Sequence, residues 1–253
     1  MLSKKKSISE LLQSWQYDEE LKQNIIHWHT LDGKRAEYAP FPDELHPSLQ
    51  KALRLRGIEQ LYTHQREAFD KATSGTSFTA ITPTASGKSL CYHLPVLQEI
   101  INDKSSRAIY LFPTKALAQD QKTDLNELIE ATGEEVLSYT YDGDTAPGIR
   151  TKIRKAGHIV MTNPDMLHSG ILPHHTKWVS LFENLKYIVI DELHTYKGVF
   201  GSHVAHVIRR LKRICAFYGA NPIFICTSAT IKNPKELAES LTNEKHELIT
   251  KSG

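Results

Sequence analysis

From Phe78 onward, short apolar and β-branched runs alternate with segments of helical spacing, and that alternation leaves few folds open to the chain. The runs are Phe78–Thr82, Ala108–Phe112, Val136–Tyr141, His158–Thr162, Tyr187–Asp191, Ile223–Thr227 and His246–Thr250. Between most of them lie helical patterns. The clearest is Val204, Val207, Ile208, Leu211 and Ile214, which recur on one helix face. Strands that are apolar on both faces and separated by helices call for a mostly parallel sheet covered by helices on both sides. The fold class is therefore α/β. Ligands of such sheets sit beyond the C-terminal strand ends, so functional residues are expected just after the runs.

Composition narrows the function classes. Of 253 residues, 40% are hydrophobic and 24% charged, enough for a globular core without disulfides. Lys plus Arg number 31 against 29 for Asp plus Glu, a net charge of +2. That excludes a polycationic sleeve for nucleic acid and leaves room for a local basic groove. No apolar run approaches the ~20 residues needed to cross a bilayer, so no membrane partner is expected. Cys91, Cys215 and Cys226 are far apart and form no CxxC, which reads as small core residues of a reduced, cytoplasmic protein. Near the start, Ile8, Leu11, Leu12 and Trp15 share one helix face, and a proline cluster follows at Pro40, Pro42 and Pro47. Residues 1–50 are expected to form an N-terminal extension docked on a main domain of residues 51–253, with Trp15 and Trp28 as anchors.

Two strand ends carry the chemistry. After the first run comes Thr82-Pro-Thr-Ala-Ser-Gly-Lys-Ser89, the P-loop pattern with Thr82 in place of the first glycine. Backbone N–H groups of Thr84, Ala85, Ser86 and Gly87 can cradle the phosphates of ATP. Lys88 brings a point charge to the β and γ phosphates, and Ser89 can hold Mg²⁺. The second end is Tyr187-Ile-Val-Ile-Asp-Glu-Leu-His194, an apolar strand running into two carboxylates. Buried charge needs a partner, and a Mg²⁺ ion beside the P-loop is that partner. Asp191 completes the magnesium site through water, and Glu192 orients and deprotonates the attacking water.

These residues resemble the superfamily 2 helicases of the DExH type, across roughly residues 38 to 250. Thr82–Ser89 resembles their motif I, Asp191-Glu-Leu-His194 motif II, and Thr227-Ser-Ala-Thr230 motif III. Pro113-Thr-Lys-Ala-Leu-Ala-Gln-Asp-Gln121 is similar to motif Ia, and Thr162-Asn-Pro-Asp-Met-Leu167 to motif Ib. Tyr141-Asp-Gly-Asp-Thr145 matches the family's glycine-containing turn, and Leu61-Tyr-Thr-His-Gln65 its adenine-reading Q motif. The resemblance implies a RecA-like P-loop domain and a backbone track along Pro113, Thr114, Lys115, Gly143, Thr162, Asn163 and Pro164. It implies that Gln65 reads adenine, through its N6 amine and N7, and that His194, Ser228 and Thr230 couple ATP to the strand. Within the superfamily, these motifs and Tyr38-Ala-Pro-Phe-Pro-Asp-Glu-Leu-His46 resemble the bacterial mitomycin repair factor A group of RecQ-related DNA helicases. That implies ATP-driven 3′→5′ movement on single-stranded DNA in repair. It also implies a second RecA-like lobe carrying γ-phosphate arginines, whose Gln-x-x-Gly-Arg-x-x-Arg-like motif this sequence does not contain.

Alternatives stay open. An ATP-switched nucleic-acid binding module or an RNA helicase lobe fits the same motifs, because telling DNA from RNA requires contacts around the 2′-hydroxyl. Two basic clusters read as solvated helix faces: Arg150, Lys152, Arg154 and Lys155, then Arg209, Arg210, Lys212 and Arg213. His203 and His206 lack partners at zinc spacing. Tyr38, Phe41 and Tyr62 are equal candidates to stack on adenine.

Overall fold

The computed structural model describes residues 7–29, 36–82 and 87–250; Thr84, Ala85 and Ser86 of the P-loop lie outside them. The chain divides into two compact units, residues 1–35 and 36–253.

The first unit holds α1 (Ile8–Tyr17) and α2 (Glu19–Lys22). A capping box starts α1: the Glu10 N–H donates to the Ser7 hydroxyl at 3.2 Å, and the Ser7 N–H donates to the Glu10 carboxylate at 2.8 Å. Neither helix buries a residue, and Trp15 and Trp28 are 41% and 39% exposed.

The second unit runs β1 (Tyr38–Ala39), α3 (Pro47–Leu55), β2 (Leu61–Tyr62), α4 (Thr63–Thr73), β3 (Phe78–Ile81) and α5 (Leu90–Asn102). It continues with β4 (Arg107–Leu111), α6 (Lys115–Thr132), β5 (Ser138–Thr140), α7 (Pro147–Ala156), β6 (Ile159–Thr162) and α8 (Pro164–Met166). After tight helical turns come α9 (Val179–Glu183), β7 (Leu185–Ile190), α10 (Gly198–Phe217), β8 (Ile223–Ser228), α11 (Pro234–Thr242) and β9 (Glu247–Ile249). The division at Arg35/Ala36 falls earlier than the expected boundary near residue 50. Leu45, Leu49, Ala52 and Leu53 belong to the main core, and the Gln98 amide ties this stretch to α5. That amide accepts from the His46 N–H at 2.8 Å and donates to the Glu44 carbonyl at 2.9 Å.

All seven expected strands enter one sheet, in the order β5-β6-β4-β7-β8-β3-β9, and every pairing is parallel. Side chains alternate between its faces. Ala108, Tyr110, Met161, Val189 and Ile225 join α3 to α6 in one core; Ile109, Val160, Ile188, Phe224 and Cys226 join α7 to α11 in the other. Burial on both faces is why the strands read as unbroken apolar runs. Cys91, Cys215 and Cys226 are buried free thiols within these cores.

His93 on α5 gives the core a pH dependence. It is wholly buried, with Tyr110 on one side and Asp124 Oδ2 4.0 Å from Nε2; Asp124 is itself paired with Arg56 at 3.0 Å. Burial, reinforced by the Arg56 charge, pushes the imidazole down to about 3. In the unfolded chain the ring takes up a proton near pH ~6.5. Between those values the unfolded state holds more protons, so this stability is complete above about pH 6.5 and is lost as pH falls, by up to ~1.4 kcal/mol per pH unit. His93→Gln, which cannot titrate, is expected to flatten the fall of the urea midpoint between pH ~6 and ~4. Equal slopes in parent and variant would remove His93 from the acid response.

Candidate nucleotide and nucleic-acid sites

Strand order assembles the nucleotide half of the site. Because β8 lies between β3 and β7, the C-terminal ends of β3 and β7 stand two strand spacings apart, about 9–10 Å, which is room for a phosphate. The register sets Ile81 beside Ser228 and Ile190 beside Cys226, so Asp191 comes level with Thr227. Gly87, Lys88, Ser89, Tyr92, Asp191 and Glu192 line a cavity of about 310 Å³. Lys88 Nζ donates to the carbonyls that end two strands, Thr82 at 3.3 Å and Ser228 at 3.4 Å.

Asp191 is 6% exposed. Its N–H donates to the Leu111 carbonyl at 3.0 Å, and its carboxylate accepts from the Thr227 hydroxyl and from the Glu192 N–H. Burial pushes this carboxyl above its ordinary range, against the pull of the Thr227 hydroxyl and the Lys88 charge. A divalent cation relieves that cost. The residues therefore fit Mg²⁺, which takes few protein ligands and completes its shell with phosphate and water.

Glu192 occupies the left-handed region, φ 52°, at the turn out of β7. The strained turn directs its Oε2 to within 3.1 Å of His194 Nδ1, while Nδ1 also lies 3.4 Å from the Ala229 nitrogen. One nitrogen cannot both donate to Glu192 and accept from Ala229. The two contacts are alternatives: with a proton on Nδ1 the ring donates to Glu192, and with Nδ1 bare it accepts from the Ala229 N–H.

The Gln65 amide is almost completely buried. Its oxygen accepts from the Tyr62 N–H at 3.0 Å, and its nitrogen donates to the Gly87 carbonyl at 3.0 Å. Gln65 thus clasps the end of the P-loop, keeping one lone pair and one hydrogen for another partner. Gly87 has φ +71°, and a Cβ there would stand 2.6 Å from Gln65 Nε2, so only glycine suits both the turn and the clasp. Tyr38, Ile58, Glu59, Tyr62 and Gln65 line an adjacent cavity of about 370 Å³. Tyr38 stacks on Tyr62 at 5.1 Å, whereas Phe41 packs under Arg54 at 5.6 Å.

The expected track residues gather on the other half of the same edge, after β4, β5 and β6. Several of their side chains are engaged within the domain. The Thr162 hydroxyl is buried and donates to the Tyr141 carbonyl at 2.7 Å. Thr114 caps α6 by accepting from the Leu117 N–H at 3.3 Å, and Asn163 caps α8 by accepting from the Met166 N–H at 2.8 Å. These caps order helix N-termini whose remaining N–H groups suit phosphate. Lys115 Nζ pairs with Asp144 at 2.7 Å beside Gly143, and Pro164 begins α8. Arg150 of the first basic cluster is internal to this turn, donating to the carbonyls of Thr145, Asp142 and Gly143.

Of the residues expected to couple the halves, His194 makes the contact, but Ser228 contributes its backbone and Thr230 is exposed. The side chain and N–H that reach motif II belong to Thr227 and Ala229. Sequence reading also passed over Gln121, which accepts from the Tyr92 hydroxyl at 2.8 Å in the nucleotide cavity while its helix, α6, starts in the strand track. Its place at the end of the motif Ia resemblance was the available signal.

Fold and site together define a helicase motor domain, and the comparisons agree. The DEAD/DEAH box helicase family matches residues 62–237, and the chain belongs to that family. It is 62% identical over 250 residues to the uncharacterized ATP-dependent helicase YprA of Bacillus subtilis, covering 99% of this chain and 33% of that protein. It is 40% identical over 232 residues to the ATP-dependent helicase HRQ1 of Saccharomyces cerevisiae, covering 90% of this chain and 21% of that one. The crystal structure of the DUF1998 helicase MrfA bound to DNA and AMPPNP superposes with a TM-score of 0.92 at 62% identity, covering 98% of this chain and 34% of MrfA. The chain therefore spans about a third of the length of YprA and MrfA.

Proposed function

We propose that this chain is the ATP-binding lobe of an ATP-dependent DNA helicase that moves 3′→5′ on single strands in DNA repair. The observation that carries the reading is the strand order, which sorts the P-loop, Asp191 and Glu192 to one half of a sheet edge and the phosphate track to the other. The DNA and AMPPNP held by the similar MrfA support it.

ATP sits with its phosphates on the loop from Thr82 to Ser89, residues Thr84, Ala85 and Ser86 included, and its adenine between Gln65 and the Tyr38–Tyr62 stack. Lys88 neutralises the phosphates. Ser89 and Asp191 hold Mg²⁺, which supplies charge neutralisation and in-line alignment when bound. Glu192 orients the attacking water and takes its proton. His194 relays the state of Glu192 to Ala229, and Thr227 relays that of Asp191 to β8. A second RecA-like lobe supplies the γ-phosphate arginines. The setting is the cytoplasm, in keeping with the three buried free thiols.

The test is single-strand binding by the full-length protein with and without AMPPNP. Because the track offers backbone N–H groups and Lys115 rather than base readout, affinity is expected to be nearly sequence-independent. On single strands it should fall with salt, with a log–log slope near about −0.7 per neutralised phosphate. Salt-independent binding, or a strong preference for one sequence, would overturn the track. Tighter binding to RNA than to DNA of the same sequence would move the reading to an RNA helicase.

A further inference from the structure

A second groove lies beside the phosphate track, between α8 and α10, and encloses about 570 Å³. Its floor is apolar, formed by Pro164, Phe200, Val204 and Val207. Phe200 is 41% exposed yet fixed in orientation, stacked on Tyr196 at 5.7 Å and 26°. The rim is basic, with Arg209, Arg210 and Arg213 within about one turn of α10; among the described lining residues Asp165 is the single carboxylate.

Three arginines at α3 and α4 carry their own counter-charge. Arg54, Arg56 and Arg66 each lie within 3.7 Å of a carboxylate. Among the described residues no ion pair reaches Arg209, Arg210 or Arg213, and Arg209 instead lies 3.4 Å from His206 Nδ1. Three guanidinium groups without counter-charge on one helix repel one another and attract phosphate. An aromatic floor flanked by cations suits single-stranded nucleic acid, whose bases stack on the ring while the phosphates meet the arginines. The groove is continuous with the track through Pro164, which follows β6, and α10 enters from the end of β7 at the same sheet edge. From Phe200 to Arg213 the helix rises about 20 Å, longer than a single phosphate site.

We propose that this groove binds the single strand where it leaves the motif track, with Phe200 under a base and Arg210 and Arg213 on phosphates. The proposal rests on the nucleic-acid reading above. The experiment is salt-dependent binding of oligothymidine to the full-length protein. Arg210→Ala with Arg213→Ala is expected to weaken binding and to make the log–log slope shallower by about 1.4, two phosphates at ~0.7 each. Arg210→Lys with Arg213→Lys should restore the slope, because the charge is kept. Arg154→Ala with Lys155→Ala removes the same charge from α7 and should leave the slope unchanged. Phe200→Ala should weaken binding several-fold and abolish photocross-linking of 5-iodouracil to α10. Equal shifts in both double-alanine variants would reduce the effect to net charge and overturn the groove. Parent-like slopes and cross-links in all variants would also overturn it, pointing to an occupant such as an acidic protein segment. A parent protein that binds no single strand would instead sink the functional reading itself.

Discussion

Glu192→Gln in the full-length protein is expected to slow ATP hydrolysis by about 10²- to 10⁴-fold while nucleotide stays bound, the range that positioned acid–base catalysis contributes. The side chain is well placed to show this. Its N–H is anchored on the Asp191 carboxylate at 2.9 Å, its Oε2 faces His194 Nδ1 at 3.1 Å, and the residue lines the nucleotide cavity. Glutamine keeps the shape and can still accept from His194, so the turn is retained and only the base is lost. The measurement pairs steady-state ATPase rates with fluorescent-nucleotide titration. Undiminished turnover would contradict the role given to Glu192. Weakened binding with turnover unchanged at saturation would make it a binding residue.

Lys88→Ala is expected to lower nucleotide affinity by about 10- to 150-fold, since hydrogen bonds to charged groups contribute ~1.5–3 kcal/mol. In the structure the ammonium rests on the Thr82 and Ser228 carbonyls, at the ends of β3 and β8, poised over the cavity beside Asp191. Its removal also takes away the positive charge that pulls the buried Asp191 carboxyl down. Lys88→Arg is not expected to restore affinity, because a planar fork replaces a compact point charge. Fluorescent-nucleotide titration of both variants checks this; an unchanged dissociation constant for Lys88→Ala would remove the P-loop assignment.

The apolar runs were legible as strands because a sheet buried on both faces needs no polar alternation, and that requirement is local to each run. Val136–Tyr141 narrowed to β5 (Ser138–Thr140), and Tyr187–Asp191 lengthened backward to Leu185. Strand ends depend on neighbours that a local pattern does not contain. The proline cluster read as a boundary, yet Leu45 and Leu49 belong to the main core. The polar partner of this stretch, Gln98 on α5, lies about fifty positions away and is bonded to Glu44 and His46.

Residue type and spacing alone determined the chemistry available here: a phosphate loop, a carboxylate pair after an apolar strand, and helix-capping residues after other strands. Those features are short-range, because each consists of neighbours along the backbone. Where the chemistry acts is a matter of long-range pairing. In chain order the nucleotide and strand motifs interleave, and only the order β5-β6-β4-β7-β8-β3 separates them into two halves joined through Thr227, His194 and α6. Which atom each side chain meets was equally invisible: Thr162 turns inward to Tyr141, Gln65 clasps Gly87, and Thr227 rather than Ser228 reaches Asp191. A hydroxyl or amide takes whichever partner packing leaves within about 3 Å, and that partner is set by strands and helices distant in the chain.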